Sequence, residues 1–452
     1  MNEIAKNGQK QNIRLLAVKA LSDINRNGAY ANITLQDYIS KHNLADLDRR
    51  FFTELVYGVV RRLNYLDAII VHFAKRPLKK LSSMVVEILR LGIYQIIYMD
   101  KVPESAAVNE SVKLAKKLTR GLSGFVNAIL RSVIREQDSI GVEDLASNDI
   151  EVISFIYNIP LWLIDLWMGE FGRDKTEDLC AWFNQQPKLT ARINTILIDI
   201  PQCLTLLKEQ GWDVSQDSNY KDIIYINSHR GSLEKSDAVI KGYITFMDKA
   251  SMLVARLVNP QPGERVLDCC AAPGGKSMYM AALMDNTGSL MSCDIHEHKI
   301  ALMESNAQRL GISIVQTKVQ DATELPSAWK SYFDRVLVDV PCSGLGILQK
   351  KLDMRWRKDE STLSELPPLQ LAILERAAMT VKEKGYLVYS TCTLNYKENE
   401  DVVEAFLQKH KEFSIVPVGT DFPLKSNNGM ITTYPPTDDM DGFFMVKMQR
   451  IS

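Results

Sequence analysis

The chain reads as a multidomain protein: an all-helical N-terminal bundle, a small α+β module and a C-terminal α/β domain on a parallel, doubly wound sheet. Three observations predict this. Apolar residues recur at helical spacing from residue 12 to residue 136. From Asp248 onward, short apolar runs alternate with helical stretches, the pattern of a parallel sheet covered on both faces. Between these regions lies a shorter mixed segment. A chain of 452 residues has room for two or three domains and a large core.

The boundaries expected are 1–136 for the bundle, 137–159 for an acidic linker, 160–247 for the module and 248–452 for the α/β domain. In the bundle, helical spacing is clearest in the stretch from Ile13, in Phe51–Leu66 and in Met84–Tyr98, with Ser105–Lys117 and Phe125–Arg135 after them. Polar or proline-containing breaks separate them at His42–Asp48, Arg76–Leu78 and Val102–Glu104. Pro160 opens a helix. The module then needs strands at Leu189–Asn194, Asp222–Ile226 and Gly242–Met247, and a helix near Ile200–Gln210.

In the last domain, strands fit Arg265–Asp268, Ser289–Cys293, Ile314–Lys318, Phe333–Val338, Gly385–Tyr389 and Gly442–Met448, the last an antiparallel edge. Helices fit Ser251–Leu257, Ser277–Leu283, Glu297–Leu310, Pro367–Val381 and Lys397–Lys409.

Composition narrows the class. The apolar and charged fractions are those of a globular protein. Apolar runs such as Leu91–Met99 are too short to span a bilayer, so no membrane partner is expected. The start, Met1-Asn-Glu-Ile-Ala-Lys, lacks a signal peptide's apolar core, which predicts a cytoplasmic protein. Seven cysteines, with no CxxC and no zinc-site pairing with histidine, predict neither a disulfide framework nor a metal.

Charge is uneven. Residues 1–136 hold 22 Lys and Arg against 12 Asp and Glu, a surplus of ten in a chain whose net charge is −1. The cations cluster at Arg49-Arg50, Arg61-Arg62, Lys75-Arg76, Lys79-Lys80, Lys116-Lys117 and Arg120. An anionic polymer contacted through its phosphates is one reading. A solvated helical surface with some helix-dipole pairing is the other. Arg355-Trp356-Arg357 suits either RNA backbone contact with base stacking or a Trp packed on the sheet edge.

The chemistry lies at strand ends. Strand Arg265–Asp268 runs into Cys269-Cys270-Ala271-Ala272-Pro273-Gly274-Gly275-Lys276 and then a helix. Glycines there let a ligand approach the backbone, and Lys276 with the helix N-terminus favours an anion such as a carboxylate. The loop is neither GxGxxG nor a P-loop. Asp294 ends the second strand, where nucleotide folds hold ribose hydroxyls. Asp321 follows the third and suits an adenine amino group. Asp339-Val-Pro-Cys342 follows the fourth, and Ser390-Thr-Cys392 the fifth. Cys180, Cys203, Cys269 and Cys293 read as small buried hydrophobes. Cys342 and Cys392 stand in polar loop sequence at the ligand edge of the sheet.

Residues 268–276, 339–344 and 389–392 resemble the signature of the Sun family of RNA cytosine-5 methyltransferases, and the N-terminal part resembles the NusB fold. The fusion is similar to bacterial 16S ribosomal RNA cytosine-5 methyltransferases, and the likeness covers nearly the whole chain. It implies a Rossmann-like catalytic domain and S-adenosylmethionine as methyl donor, held by Cys270, Ala271, Ala272, Pro273, Gly274, Gly275, Lys276, Asp294, Asp321 and Asp339. It implies Cys392 as nucleophile, Cys342 as the helper that lets the enzyme–RNA adduct break down, and 16S ribosomal RNA as partner, with no obligate protein partner. Two departures stand out: Ser277 replaces the usual Thr, and Met247-Asp248 replaces Gln-Asp.

The reaction has its own logic. Cytosine C5 is too weak a nucleophile until a thiolate adds to C6. A free thiol has a pKa of about 8.5, so the site must lower it or take the proton during attack. Asp339 suits the base edge, supporting charge at N3. The base must be single-stranded or flipped out. Alternatives are the same chemistry on transfer RNA, or a non-catalytic RNA-binding assembly factor. A DNA cytosine methyltransferase would lack the second thiol.

Overall fold

The computed structural model describes residues 12–137, 139–231, 233–420 and 422–451. Residues 1–11 of the expected bundle and Asp138 of the expected linker lie outside the described residues. The chain forms two compact units. One holds the residues up to Asn184 together with Lys351–Lys358; the other holds Gln185–Lys350 and the chain from Asp359 onward.

The first unit is helical. Ile13–Asn27, Ala31–His42, Asp46–Arg61, Leu63–Ala74, Ser83–Tyr98, Glu104–Leu118 and Ser123–Glu136 surround a core that includes Leu21, Phe52, Leu55, Leu66, Ile88 and Leu130. Asn12 caps the first helix by accepting from the Leu15 amide. The expected single helix over Phe51–Leu66 is two helices. Arg62, at φ −118° and ψ 23°, breaks it, because its non-helical backbone ends one ladder and starts the next. Residues 137–159, read as a linker, contain the helices Val142–Leu145 and Asp149–Tyr157. Leu161–Phe171 and Arg173–Asn184 follow.

Lys351–Lys358 decides between the two readings of Arg355-Trp356-Arg357: the Trp is packed, on the helical core rather than on a sheet edge. Arg355 is fully buried; its Nη2 donates to Phe183 O at 2.7 Å, and its Nη1 to Asn184 Oδ1 at 2.9 Å and Asn158 O at 3.3 Å. Trp356 Nε1 donates to Val60 O at 2.8 Å and its ring packs on the helical core. Arg357 pairs with Asp353 at 2.9 Å and lies over the Tyr30 ring. Arg355-Trp356-Arg357 therefore spends its donors on backbone carbonyls, a side-chain amide and a carboxylate inside this unit, which is why it is not an exposed RNA contact. The bundle's own cations differ: Arg49, Arg50, Arg61, Lys75, Arg76, Lys79, Lys80, Lys116, Lys117 and Arg120 are exposed. Arg62 is half-buried over the Tyr98 ring.

The second unit carries two sheets. The smaller has β1 (Leu189–Ile193), β2 (Asp213–Gln216), β3 (Ile223–Ser228) and β4 (Ile244–Phe246), all antiparallel in the order β2-β3-β1-β4. The larger has β5 (Arg265–Asp268), β6 (Ser289–Asp294), β7 (Val315–Val319), β8 (Phe333–Asp339), β9 (Val381–Thr391), β10 (Phe413–Ile415), β11 (Met430–Thr432) and β12 (Phe444–Arg450). Five strands run parallel in the order β7-β6-β5-β8-β9. β12 is antiparallel to β9, as expected, but it is not an edge: β10 and β11 pair with it. β5 and β8 are almost wholly buried, the signature of central parallel strands. Helix Glu360–Ala378 begins well before the expected Pro367, because Asp359 caps it by accepting from the Thr362 amide. Among the described residues no single helix is long and apolar enough to cross a membrane.

Candidate active site

The parallel strands end together, and their C-terminal ends carry the candidate residues. β5 ends in Asp268, which is 1% exposed. Its Oδ2 accepts from Ser277 Oγ at 2.6 Å, while its buried Oδ1 has no partner among the described residues. Burial lifts this carboxyl to about 7; the nearby Asp339 adds to the rise and the Ser277 hydroxyl opposes it. Ser277 thus keeps the hydrogen bond that a threonine hydroxyl could make.

The loop from Cys269 folds back on the next strand, the Ala271 amide donating to Cys293 O at 2.7 Å. Gly274 sits at φ +99°, and a Cβ there would lie 3.1 Å from Met303 Cγ. Helix Gly275–Leu283 starts at this point, so its first amides face the loop. A Cβ on Gly275 would lie 3.8 Å from Met247 Sδ, so the departing Met247 packs beside the same loop. Burial pushes the Cys270 thiol well above its ordinary range, and the charges of Asp268, Asp339 and Asp294 add to it. That crowd of carboxylates shows how closely β5, β6 and β8 converge here.

Asp294 at the end of β6 is 8% exposed; its Oδ1 accepts from the His296 amide at 3.0 Å and lies 3.5 Å from Lys299 Nζ. Asp321, after β7, accepts from the amide and hydroxyl of Thr323 at 2.8 and 2.7 Å, which lowers its pKa. The Gln320 amide donates to Asp294 O, tying these two strand ends together. The backbone cradle after β5, the unpartnered buried Asp268 Oδ1 and the carboxylates of Asp294 and Asp321 make a donor and acceptor set fitting a ligand with a carboxylate, a diol and an amino group.

Asp339 ends β8. Its Oδ2 accepts from Lys276 Nζ at 2.7 Å and its Oδ1 from Ser390 Oγ at 2.7 Å. Burial alone would depress the Lys276 ammonium, but Asp339, then Cys392 and Asp268, raise it above its ordinary value. Lys276 therefore remains charged beside the Cys392 loop, 5.3 Å from the Phe443 ring centroid.

The two thiols meet. Cys342 Sγ lies 3.2 Å from Cys392 Sγ, and the Cys392 amide points at Cys342 Sγ from 3.3 Å. Hydrogen bonding to Cys392 and burial push the Cys342 thiol well above its ordinary range. The structure thus gathers Lys276, Asp339, Cys342 and Cys392 in one cluster, with Asp268 beneath; Asp294 and Asp321 stand at the neighbouring strand ends.

Sequence reasoning missed the supporting residues Ser390, Glu398 and Asp441. Ser390 stood in the Ser-Thr-Cys392 run, but its pairing in register with Asp339 depends on β8 and β9 lying side by side. Asp441 is 3% exposed; its Oδ2 accepts from Lys350 Nζ at 2.9 Å, and Lys350 also pairs with Asp248. Burial, then Asp248, lift Asp441 to about 7. Backbone contact brings that segment here: the Gly442 amide donates to Gly346 O at 2.9 Å, and a Cβ on Gly346 would collide with Gly442 O at 1.8 Å. Among the described residues no group of three or more His, Cys, Asp or Glu could hold a metal ion.

Comparison with known proteins shows the family. Residues 255–449 match the model of the 16S rRNA methyltransferase RsmB/F family, residues 11–135 the NusB family, and residues 159–231 the ferredoxin-like domain of RsmF/B-like methyltransferases. The probable ribosomal RNA small subunit methyltransferase B of Bacillus subtilis is 35% identical over 98% of this chain and 99% of its own length. The protein of the same description from Synechocystis is 38% identical over 97% and 99%. The crystal structure of the protein PH0851 superposes with a TM-score of 0.82 at 25% identity, over 97% of this chain and 99% of that one. The chain belongs to the RsmB/F family of 16S ribosomal RNA methyltransferases.

Proposed function

We propose that this protein methylates C5 of a cytosine in 16S ribosomal RNA through a covalent bond between Cys392 and C6 of the base. The observation that carries the reading is the pair of sulfurs 3.2 Å apart beside the Lys276–Asp339 pair. S-adenosylmethionine, when bound, supplies the electrophilic methyl group. The loop Cys270, Ala271, Ala272, Pro273, Gly274, Gly275 and Lys276 would cradle it, with Asp294 on ribose hydroxyls and Asp321 at the adenine. The exposed cations of residues 1–136 would hold RNA phosphates. The 160–247 and 248–452 regions would supply the module and the catalytic domain. Such a protein works in the cytoplasm, where ribosomal RNA is made.

The residues divide the work as follows. Cys392 Sγ forms a bond to C6, and its proton passes to N3 with Asp339 as the hydrogen-bonding carrier. Lys276, charged and anchored on Asp339, steadies the thiolate character of Cys392 during attack. Asp339 also holds the base edge and opposes water access to it. Once C5 carries the methyl group, its remaining hydrogen must leave. The C5–H pair becomes the C5=C6 bond and the C6–S pair returns to Cys392. Cys342 hands its proton to Cys392 Sγ and takes the C5 proton in its place, so both thiols end protonated. The N3 proton leaves through Asp339, which accounts for the one proton released overall.

The test uses a 16S ribosomal RNA transcript, S-adenosylmethionine and the full-length protein. Nucleoside mass spectrometry should find 5-methylcytidine, and bisulfite mapping should find it at one position. Methylation on another atom, or none, refutes the reading.

A further inference from the structure

Glu398 is a buried charge that the reaction above does not use. It is fully buried, and its carboxylate accepts from four neutral donors. Oε1 accepts from Ser343 Oγ at 2.5 Å and Asn395 Nδ2 at 2.9 Å; Oε2 accepts from the Ser343 amide at 2.8 Å and Gln370 Nε2 at 2.9 Å. Burying a carboxylate is costly, and apolar packing would hold the fold together as well. A charge kept in such a place points to a task beyond cohesion.

Its partners say which task. Ser343 follows Cys342 directly, and Gln370 also donates to Pro341 O at 3.0 Å, on the other side of Cys342. Asn395 belongs to the loop after Cys392, and Ser343 Oγ lies 2.7 Å from Thr393 Oγ1, next to Cys392. The Tyr389 hydroxyl, on β9, donates to Glu398 O at 2.6 Å. One carboxylate thus clamps the chain on both sides of Cys342 to the loop that carries Cys392.

We propose that Glu398 is the positioning residue for release of the RNA: it holds Cys342 Sγ against Cys392 Sγ so that the proton relay can return the C5 proton's equivalent to Cys392. The inference rests on the covalent reading above. The electrostatics point the same way. Hydrogen bonding to Cys392 and burial keep the Cys342 thiol protonated, and the charge of Glu398 adds to them, with Tyr389 and the Lys276–Asp339 pair as the other ionisable groups around the thiols. Formation of the Cys392–C6 bond needs none of this, so loss of Glu398 should fall on the second half of the reaction.

The experiment compares Glu398→Gln, the double variant Asn395→Asp/Glu398→Gln and Cys342→Ala in the full chain, with a 16S ribosomal RNA transcript and S-adenosylmethionine. Glu398→Gln should form the covalent species at close to the wild-type rate but release it at least about tenfold more slowly, so that a protein–RNA band accumulates on a denaturing gel. Cofactor affinity by calorimetry should be unchanged. The double variant reverses the polarity of the Oε1 pair and should restore release. Wild-type release in Glu398→Gln, while Cys342→Ala traps the adduct, overturns the positioning role and leaves the covalent reading intact. Parallel loss of adduct formation, release and cofactor affinity, without rescue, shows a purely structural residue and also overturns it. An adduct from neither Cys342→Ala nor Glu398→Gln overturns the covalent reading and this inference with it.

Discussion

Cys342 and Cys392 share a hydrogen bond between their sulfurs at 3.2 Å, and the Cys392 amide adds a second contact to Cys342 Sγ at 3.3 Å. Two thiols this close cannot both act as free nucleophiles. The one held protonated by burial and its neighbour is Cys342, and the one beside a charged lysine is Cys392. In the reaction proposed, that asymmetry divides the attacking role from the proton-carrying one.

Cys392→Ala removes the attacking sulfur but touches none of the loop from Cys269 to Lys276. Methyl transfer should fall to background while calorimetry with S-adenosylmethionine gives an affinity close to wild type. Retained turnover would remove Cys392 from the chemistry.

Lys276→Met leaves Asp339 without its cation and the Cys392 loop without a nearby positive charge. The rate of adduct formation should drop by about a hundredfold, in the range of a missing general acid–base or electrostatic group. An unchanged rate of adduct formation would contradict the role.

Arg355→Ala separates structure from RNA binding. It strands three acceptors, Asn158 O, Phe183 O and Asn184 Oδ1, in a buried site. Stability should fall on the order of 3 kcal/mol or more, with the salt dependence of RNA affinity unchanged in the folded fraction. Replacing the exposed Lys75, Arg76, Lys79 and Lys80 with alanine should do the reverse: little change in melting, and a salt slope shallower by roughly one for each phosphate that is no longer neutralised.

Asp268 carries a pH signature. Its pKa in the folded protein, about 7, lies above its unfolded value, so the folded state holds the extra proton. Its contribution to stability is complete below about pH 4 and is lost as pH rises toward 7. Asp268→Asn imitates the protonated form and should gain stability relative to wild type across that interval. Denaturant melts at several pH values read this directly, and a parallel fall for both proteins would exclude it.

Much of the site could be read from local sequence because strand ends announce themselves. Arg265–Asp268 followed by a glycine turn, and Phe333–Asp339 followed by Pro-Cys342, each combine an apolar run with polar loop residues at one edge. Glu398 could not be found this way, since it looks like one acid in Lys397-Glu-Asn-Glu and its burial depends on Ser343 and Gln370 arriving from elsewhere. β2 was missed because Asp213–Gln216 is largely exposed and shows no alternation. β10 and β11 are three residues each, too short for a period. Arg355-Trp356-Arg357 stayed open between RNA contact and packing on a sheet edge, because its composition suits both, and only tertiary packing turned its donors into the helical unit.

The most direct test is a denaturing gel of Cys342→Ala and Cys342→Ala/Cys392→Ala after incubation with labelled 16S ribosomal RNA and S-adenosylmethionine. The single variant should carry RNA in a band that survives denaturation, and the double variant should carry none. A missing band in the single variant, or one that persists in the double, would contradict attack by Cys392.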